Sequence, residues 1–428
     1  MGGWRNWSGA VRATPRVLHR PRTVEDVCAA VTRARAGAEV LRVAGSGHSF
    51  TPIAASDQHM LTMTDLPGAV DISGGEAGAS VTVGAGVTIR ELNLRLTEHD
   101  LALANMGDID HQVVAGALAT GTHGTGAAFG PMHTAVDGIE LVDGTGALRW
   151  VDQADLPAAR LAVGSLGVVT RLRLSVVPAY RLATTVTRVP LDDVLADFAH
   201  HIADHRHAEF YWLPHTRWCQ LKLADATDEP PLPAGLAQRV NDVVLENVAV
   251  WTAGQVARTF PGASAAVSRI LAAGVSDVSA RRPSHQAFAS VRWVRFQEME
   301  YALPRAALPA VLDALEDLIT RDRLPVALPV EVRAVAADTS AWLSPAWERD
   351  SAYVAIHAFR GMPYTRYFKA AEEIFRSHDG RPHWGKMHTQ GADTLAAVYP
   401  RWADFQTVRA RLDPDGTFAS PYLRRILG

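Results

Sequence analysis

Two segments in the first third of the chain are nearly free of large side chains, and they restrict the fold more than any other feature of the sequence. Residues 45–49 are Gly-Ser-Gly-His-Ser, and residues 115–126 contain Ala, Gly and Thr with a single Leu and a single His. Backbone N–H groups approach the phosphates of a dinucleotide closely where no Cβ obstructs them. Each segment alone is also compatible with a pair of tight turns, but two of them in one domain favour a dinucleotide site.

Neither segment has the spacing of the common nucleotide-binding motifs. Phe50 occupies the place of the third glycine of a Rossmann fingerprint, and in the second segment Gly121, Gly124 and Gly126 have the reverse spacing. No glycine loop continues into Gly-Lys-Ser or Gly-Lys-Thr, which rules out a Walker A loop. The sequence therefore predicts a dinucleotide cofactor that is bound outside the Rossmann class.

Length and charge narrow the function classes. The 428 residues exceed what one hydrophobic core usually holds, which predicts two domains, and a net charge of −3 gives no indication of nucleic acid or an anionic membrane as a partner. Cys28 and Cys219 cannot form a disulfide framework. The N-terminus has no apolar core of signal-peptide length, and no apolar run reaches the roughly 18 residues of a membrane span. We therefore expect a cytoplasmic protein; no oligomeric state is predicted.

Hydrophobic periodicity and helix caps predict an α+β fold. Thr23 begins a capped helix over 23–36, and Thr88 begins one over 88–99. The polar, proline-rich residues 225–233 are predicted to form a surface excursion. Further strands are predicted at 40–44, 80–83, 139–142, 168–177, 209–213, 291–296, 330–335 and 353–359, and further helices at 307–318 and 366–377. The density of strands changes near 178–182, which indicates a domain boundary there.

Four motifs, in order along nearly the whole chain, resemble those of the vanillyl-alcohol-oxidase superfamily of FAD flavoproteins. Residues 42–50 (Arg-Val-Ala-Gly-Ser-Gly-His-Ser-Phe) resemble its first FAD loop, residues 105–126 its second, and residues 163–170 the segment that closes the flavin domain. Residues 383–388 (His-Trp-Gly-Lys-Met-His) are similar to the signature of the sugar-1,4-lactone oxidase branch. That branch includes gulonolactone oxidases and dehydrogenases, arabinonolactone oxidases and alditol oxidases, and residues 296–305 most resemble the bacterial gulonolactone enzymes.

The resemblance implies a fold and its division, which periodicity alone does not. A two-subdomain FAD-binding domain of the PCMH type is expected over 1–178. A cap domain with a large antiparallel sheet flanked by helices is expected over 179–380. A C-terminal segment, 381–428, is expected to return to the FAD domain.

The resemblance also implies FAD that is bonded covalently to the ring of His48, as in family members with Gly-x-x-His-Ser at this place. Without the motif, ordinary hydrogen bonding would be the expected role of a loop histidine. The other expected cofactor-binding residues are Arg42, Ala44, Gly45, Ser46, Gly47, Ser49, Gly107, Asp108, Gly116, Ala117, Thr120, Gly121, Thr122, His123, Gly124, Gly167, Val168, Val169 and His383.

Three charged residues are candidates for catalysis. Glu331 and Arg333 lie two apart in a predicted strand, so both side chains point to one face. An exposed ion pair is the alternative interpretation, and the apolar residues 328–330 argue against it. By resemblance the pair matches the Glu-x-Arg that holds substrate hydroxyls in alditol oxidases, where Glu331 would accept a proton and Arg333 would stabilise negative charge. Lys386 is expected near the substrate hydroxyl and the flavin.

Five residues are expected to contact the substrate, namely Asp108, Glu298, His357, Phe359 and His388. Alditol oxidases carry Gln at the place of Glu298 and Thr at the place of Phe359, and acyclic polyols depend on those contacts. The departures favour a flatter aldono-1,4-lactone of the gulono, galactono or arabinono type, with an ascorbate-like product. A metal site from His383 and His388 would lack a third ligand in register, so we expect no metal.

The implied reaction is hydride transfer from a secondary alcohol to the flavin, with electrons passed to O2, giving hydrogen peroxide, or to another acceptor. Gly107 stands where some relatives have Ala, which is associated with poor oxygen reactivity, so Gly favours an oxidase; some bacterial relatives with Gly are nevertheless dehydrogenases. Two alternatives stay open. One is an alditol, polyol or oligosaccharide oxidase. The other is a non-catalytic flavin- or sugar-binding protein, against which the intact Glu331, Arg333 and Lys386 argue.

Overall fold

The first part of the chain forms two small α+β units. The computed structural model describes residues 3–66, 68–74, 78–151, 153–232, 248, 250–275, 277–289 and 293–428. A three-stranded parallel sheet has the order Val17–His19, His59–Thr62, Leu41–Ala44. A five-stranded antiparallel sheet has the order Leu148–Val151, Val136–Val142, Val168–Ser175, Ser80–Gly84, Val70–Ser73. Two short strand pairs join Trp4–Arg5 to Arg12–Ala13 and Leu101–Ala102 to Val177–Pro178.

An eight-stranded antiparallel sheet dominates the second part. Its strand order is Val278–Pro283, Arg181–Pro190, Trp218–Thr227, His207–Leu213, Val330–Val335, Ser351–Phe359, Phe296–Pro304, Arg381–Pro382. Helices Leu191–Asp204, Leu308–Arg321 and Thr365–Ser377 share one apolar core with the central strands. The predicted α+β class, with a large antiparallel sheet flanked by helices, is confirmed.

Alternation along the central strands gives this sheet one apolar face and one charged face. Side chains alternate between the two faces of a strand. The core below the helices receives Val330, Val332 and Ala334 from one strand, and Met299, Tyr301 and Leu303 from another. The side chains between them point to the other face, where the first part of the chain covers them. Four side chains on that face are charged and no more than 7% exposed, namely Glu298, Glu300, Glu331 and Arg333.

The remaining helices connect and cover the sheets. The first part contains Val24–Ala36, Ile89–Thr97, Val114–Ala119 and Leu156–Ala159, and the second contains Val250–Thr259, Ser264–Gly274 and Ser284–Phe288. The C-terminal helices Ala392–Val398, Trp402–Leu412 and Pro421–Leu427 share a core with the five-stranded sheet. Among the described residues, no helix has both the length and the apolar character that a membrane crossing requires.

Two predicted elements are wrong. Of the strand predicted at 291–296, residues 291–292 lie outside the described residues and residues 293–295 are irregular; the strand is Phe296–Pro304. The predicted excursion begins too early, because residues 225–227 end the strand Trp218–Thr227 and pair with Arg181–Ala183. Polar residues continue that strand because the ladder pairs their backbone groups, and the side chain of Asp225 accepts a hydrogen bond from the N–H of Arg206. Pro233 lies outside the described residues.

Arg42 joins three separate parts of the chain. Its buried guanidinium donates hydrogen bonds of 2.7–2.9 Å to the carbonyl oxygens of Ile53, Val163, Gly164 and Phe418. Burial lowers the pKa of Arg42 to about 10, so the group stays charged at neutral pH. Backbone dipoles thus solvate this cation, and they connect the parallel sheet with the segment 163–164 and with the C-terminal tail.

We expect Arg42→Met to destabilise the protein by roughly 3 kcal/mol, because it leaves several buried carbonyls without a donor. Urea titrations would measure the loss. Arg35→Met is the matched control: Arg35 is 42% exposed and pairs with Asp415, so its loss should cost less than about 1 kcal/mol. Equal losses in the two variants would contradict the interpretation.

Candidate active site

Two cavities meet between the first part of the chain and the charged face of the large sheet. The first, here called the small-residue cleft, has about 920 Å³ of empty volume beside the loop 45–49 and the segments 112–120 and 163–169. The second, here called the charged cavity, has about 720 Å³ and lies between residues 107–123 and the sheet. His48, Ser49, Gln112 and Thr120 line both cavities. The two therefore form one elongated site.

The small-residue cleft suits the diphosphate part of the FAD that the sequence predicts. Its lining includes Gly45, Gly47, Gly116 and Gly167, so backbone is accessible along much of its length. Among the described residues that line the cleft, Arg42 is the only lysine or arginine. Its guanidinium already donates hydrogen bonds to backbone carbonyls. Backbone N–H groups, rather than a cation, would hold the phosphates.

Some of these glycines also have a packing role. A Cβ on Gly45 would lie 2.4 Å from Val113 Cγ2, and one on Gly124 would lie 2.4 Å from Asn105 Oδ1. Real Cβ atoms do not come so close to other atoms, so each glycine lets two loops pack directly on each other. The sequence indicated only their value for approach to phosphates.

His48 lies where the two cavities join. Its ring stacks on Trp7, with 5.7 Å between the ring centroids and 24° between the planes. Burial, and then the charges of His111 and Lys386, lower the pKa of His48 to about 4. The imidazole is therefore neutral at pH 7, the form whose free lone pair can form a bond to carbon.

Lys386 lies against two carboxylates of the strand Phe296–Pro304. Its ammonium forms an ion pair with Glu298 and lies 4.0 Å from Glu300 Oε2. Burial acts to raise the pKa of Glu298, but the charges of Lys386 and His357 outweigh it and lower that pKa to about 2. Burial acts to lower the pKa of Lys386, and the two carboxylates raise it instead. Glu298 and Lys386 are both charged at neutral pH.

Three carboxylates surround Arg333. Its Nε–H donates to Glu209 Oε2 at 2.8 Å, and its terminal NH2 lies 2.5 Å from Glu331 Oε1 and 3.5 Å from Asp108 Oδ1. Lys222 pairs with the other oxygen of Glu209 at 3.0 Å. Burial acts to lower the pKa of Arg333, but the charges of Glu331, Glu209 and Asp108 raise it well above its usual value. The guanidinium is a permanent cation in the cavity wall.

His123, Glu300 and His383 form a buried cluster beside Lys386. Their potential ligand atoms lie within 4.8 Å of one another, a spacing that a metal ion could use. However, His123 Nε2 already lies 3.2 Å from one oxygen of Glu300, and the ammonium of Lys386 lies 4.0 Å from the other. The ammonium of Lys386 so near the cluster disfavours a metal cation there. The absence of a metal stays a prediction.

The structure brings most of the predicted cofactor residues to the two cavities. Those that line them are Arg42, Gly45, Ser46, Gly47, His48, Ser49, Gly107, Asp108, Gly116, Ala117, Thr120, Thr122, His123, Gly167, Val169 and His383. Ala44 and Val168 are instead buried in apolar clusters, and Gly121 packs near Leu161. Gly124 lines a third, smaller cavity.

The predicted catalytic residues Glu331, Arg333 and Lys386 all line the charged cavity, together with the predicted substrate residues Asp108 and Glu298. The other three predicted substrate residues do not. His357 stands behind Glu298, with 3.6 Å between its Nε2 and Glu298 Oε1. Phe359 belongs to an apolar cluster with Phe50 and Phe296, and His388 is buried beside Tyr422. Substrate contact by Phe359 and His388 stays a prediction.

Some residues of the site were not among those predicted. Glu300 lies two residues after Glu298 in one strand, and the strand period could have identified it. Trp7 and Gln112 also line the charged cavity without a distinctive motif. Glu209 is 124 residues from Arg333, and no local pattern connects the two.

Comparisons with known proteins identify the family of this chain. The D-arabinono-1,4-lactone oxidase family model matches residues 172–426, and an FAD binding domain model matches residues 15–152. An L-gulono-1,4-lactone dehydrogenase of Mycobacterium tuberculosis is 37% identical over 99% of each chain. An alditol oxidase of a Streptomyces species is 34% identical over 99% of this chain and 98% of its own. A solved cholesterol oxidase of B. sterolicum shares the fold, with a TM-score of 0.82 at 18% identity over 100% of this chain and 96% of its own.

The lowered pKa of Glu298 predicts how its pairing depends on pH. The pKa of Glu298 is about 2 in the folded protein and 4.5 for an ordinary glutamate. The pairing therefore stabilises the fold fully above pH 4.5, and this stabilisation is lost as the pH falls towards 2. Urea titrations should show the free energy of unfolding, relative to Glu298→Gln, falling by roughly 1 kcal/mol between pH 7 and pH 4. A difference that does not change with pH would contradict the pairing.

Proposed function

We propose that this chain, which belongs to the D-arabinono-1,4-lactone oxidase family and is an FAD-dependent oxidoreductase of CH–OH groups, oxidises a ring secondary alcohol of an aldono-1,4-lactone. Oxidation of a sugar with FAD is the established part of this statement. The lactone, of the gulono, galactono or arabinono type with an ascorbate-like product, is the proposed part. The names of several relatives support it, among them the mycobacterial lactone dehydrogenase.

One observation carries the proposal. The charged cavity joins the small-residue cleft at His48, and its opposite wall is the sheet face that presents Glu298, Glu331 and Arg333, with Lys386 beside them. A ring system that extends from the cleft past His48 would face these groups. A compact polyhydroxylated substrate would then lie between the ring system and the sheet, where both donors and acceptors are available.

The protein's own groups would bind the substrate and move its proton. Bound FAD would supply the hydride acceptor and would pass the electrons to O2 or to another acceptor. Arg333 would donate to the lactone carbonyl and Lys386 to a ring hydroxyl, because both are cations that carry several N–H donors. Glu331 would accept the proton of the reacting hydroxyl at its carboxylate.

The choice of Glu331 as the base follows from the surrounding charges. The ion pair with Lys386 holds the pKa of Glu298 at about 2, and His123 and Lys386 together lower the pKa of Glu300 against the effect of burial. Carboxylates with such low pKa values are weak bases. Both also lie against the ammonium of Lys386. Glu331 shares one guanidinium with two further carboxylates. It is thus the better candidate.

The charge of the cavity predicts that it selects a neutral substrate. Its lining contains four carboxylates, on Asp108, Glu298, Glu300 and Glu331, against the two cations Arg333 and Lys386. An aldonate, the ring-opened acid, would add a further negative charge to this surplus, and like charges brought together cost several kcal/mol. We expect kcat/KM for an aldonate to be at least about 100-fold below that for the freshly dissolved lactone at neutral pH.

The matching alditol is the control, because it is neutral but lacks the ring. Equal rates with aldonate and lactone would contradict the charge argument. A clear preference for the alditol would favour the alditol-oxidase alternative, which the 34% identical relative keeps open. Anaerobic addition of each compound should bleach the visible absorbance of the flavin if that compound reduces it, and bleaching by no sugar would contradict the proposed function.

Covalent attachment of FAD to His48 is the second part of the proposal. Acid precipitation should leave the flavin with the wild-type protein and release it from His48→Ala. The control is His111→Ala, because His111 is a neighbouring histidine whose side chain is 61% exposed. Release of all flavin from the wild type would refute the bond, and acid-insoluble flavin in His48→Ala would refute its site.

The electron acceptor is proposed as O2 or another oxidant. A Cβ on Gly107 would lie 3.1 Å from Thr122 Cγ2 and 3.2 Å from the carbonyl oxygen of His123, inside the wall of the charged cavity. An alanine here would therefore press on its neighbours in the wall, and the preference for an oxidase rests on the family resemblance at this position. Parallel assays with O2 and with cytochrome c as electron acceptors distinguish an oxidase from a dehydrogenase.

A further inference from the structure

Three charged side chains form one row across three neighbouring strands of the large sheet. Lys222 is the register partner of Glu209, and Glu209 is in turn the register partner of Arg333. Cross-strand partners point to the same face, so the three charges alternate in sign along a line that ends at the charged cavity. Both oxygens of Glu209 are used, one by the Nε–H of Arg333 at 2.8 Å and the other by Lys222 at 3.0 Å.

Packing alone does not determine where the guanidinium of Arg333 lies. Asp108 and Arg333 line the charged cavity, and they also line the third cavity of about 380 Å³ on the side of Glu209 and Lys222. The Arg333–Asp108 pair thus stands as a wall between two open volumes. A long side chain with space on both sides takes several rotamers unless polar contacts select one.

We propose that Glu209 is a positioning residue, which fixes the Arg333 guanidinium through its Nε so that the terminal NH2 groups face the substrate side. The proposal rests on the substrate-binding role of Arg333 proposed above. Glu209 is not among the residues that line the charged cavity, so it acts through Arg333 rather than by touching the substrate.

Lys222 explains how Glu209 can do this without changing the charge of the site. The pair of Glu209 and Lys222 is neutral in sum, so it adds a directed hydrogen bond and no net charge. Burial acts to raise the pKa of Glu209, but Lys222 and Arg333 lower it to about 2, which keeps the acceptor ionised. A charged acceptor gives the shorter and stronger hydrogen bond that a fixed geometry needs.

The test combines kinetics with a double-variant cycle on the flavin-loaded enzyme. We expect Glu209→Ala to lower kcat/KM roughly 100-fold, the scale of a misplacement of about 1 Å in a binding group. Glu209→Gln, which keeps the shape and an acceptor oxygen, should lower it about 10-fold. In an Arg333→Ala background, Glu209→Ala should change kcat/KM by less than about 2-fold, because the residue it positions is gone. Effects that multiply in the double variant would overturn the proposal.

Two control variants separate positioning from stability and from charge. Lys222→Met leaves Glu209 bonded to Arg333 but removes its balancing charge, so it should lower kcat/KM less than Glu209→Ala does. Glu140→Gln removes a buried carboxylate that binds Arg171 through both oxygens in the other sheet. It should affect urea stability about as much as Glu209→Gln does, with kcat/KM unchanged. A kinetic loss in Glu140→Gln equal to that in Glu209→Gln would overturn the proposal.

A crystal structure of Glu209→Ala tests the proposal without any substrate. Displacement of the Arg333 guanidinium towards the third cavity supports it, and an unmoved guanidinium overturns it. Lactone turnover by the wild type is measured separately. Its absence would contradict the proposed function, whereas the position of Arg333 in the variant would still decide whether Glu209 holds it.

Discussion

The site depends on one backbone contact between the second small-residue loop and the strand Val330–Val335. The N–H of Gly126 donates to the carbonyl oxygen of Ala334 at 2.8 Å, and the hydroxyl of Thr125 donates to the carbonyl oxygen of Ala208. Gly126 has φ +128°, and a Cβ there would lie 2.6 Å from the carbonyl oxygen of Arg206. Glycine at this position thus lets the loop that carries predicted cofactor residues dock on the strand that carries the predicted catalytic residues Glu331 and Arg333.

The register of the large sheet then arranges the charges. Antiparallel pairing places Glu209 opposite Arg333, and Glu298 opposite His357. Since side chains alternate along each strand, the apolar face that packs on the helices and the charged face of the site are two consequences of the same pattern. A shift of one residue in any central strand would exchange them, so the core and the site specify each other's register.

The sequence predicts local features well because their causes are local. The cap at Thr23 sets the start of the first helix, and the strand Val330–Val335 was predicted with its observed bounds, together with the shared face of Glu331 and Arg333. The family motifs identified the loops that line the small-residue cleft, and Lys386 in the wall of the charged cavity. Strand order and cross-strand partners depend on segments more than a hundred residues apart. For this reason the partner of Arg333 could not be found, whereas Glu300, which obeys the strand period with Glu298, could have been.

The buried charges of the charged cavity are tolerable because Arg333 and Lys386 already have their anions within the protein. Transfer of a lone ammonium or guanidinium into such a cavity would cost several kcal/mol, and pairing offsets most of that cost before any substrate arrives. A substrate therefore meets donors and acceptors whose directions are set in advance, and little reorganisation is needed when it binds. The directions of these donors and acceptors then depend on the side chains that pair with them. In this chain, Glu209 and Glu331 pair with Arg333, and Glu298 pairs with Lys386, before any ligand is bound.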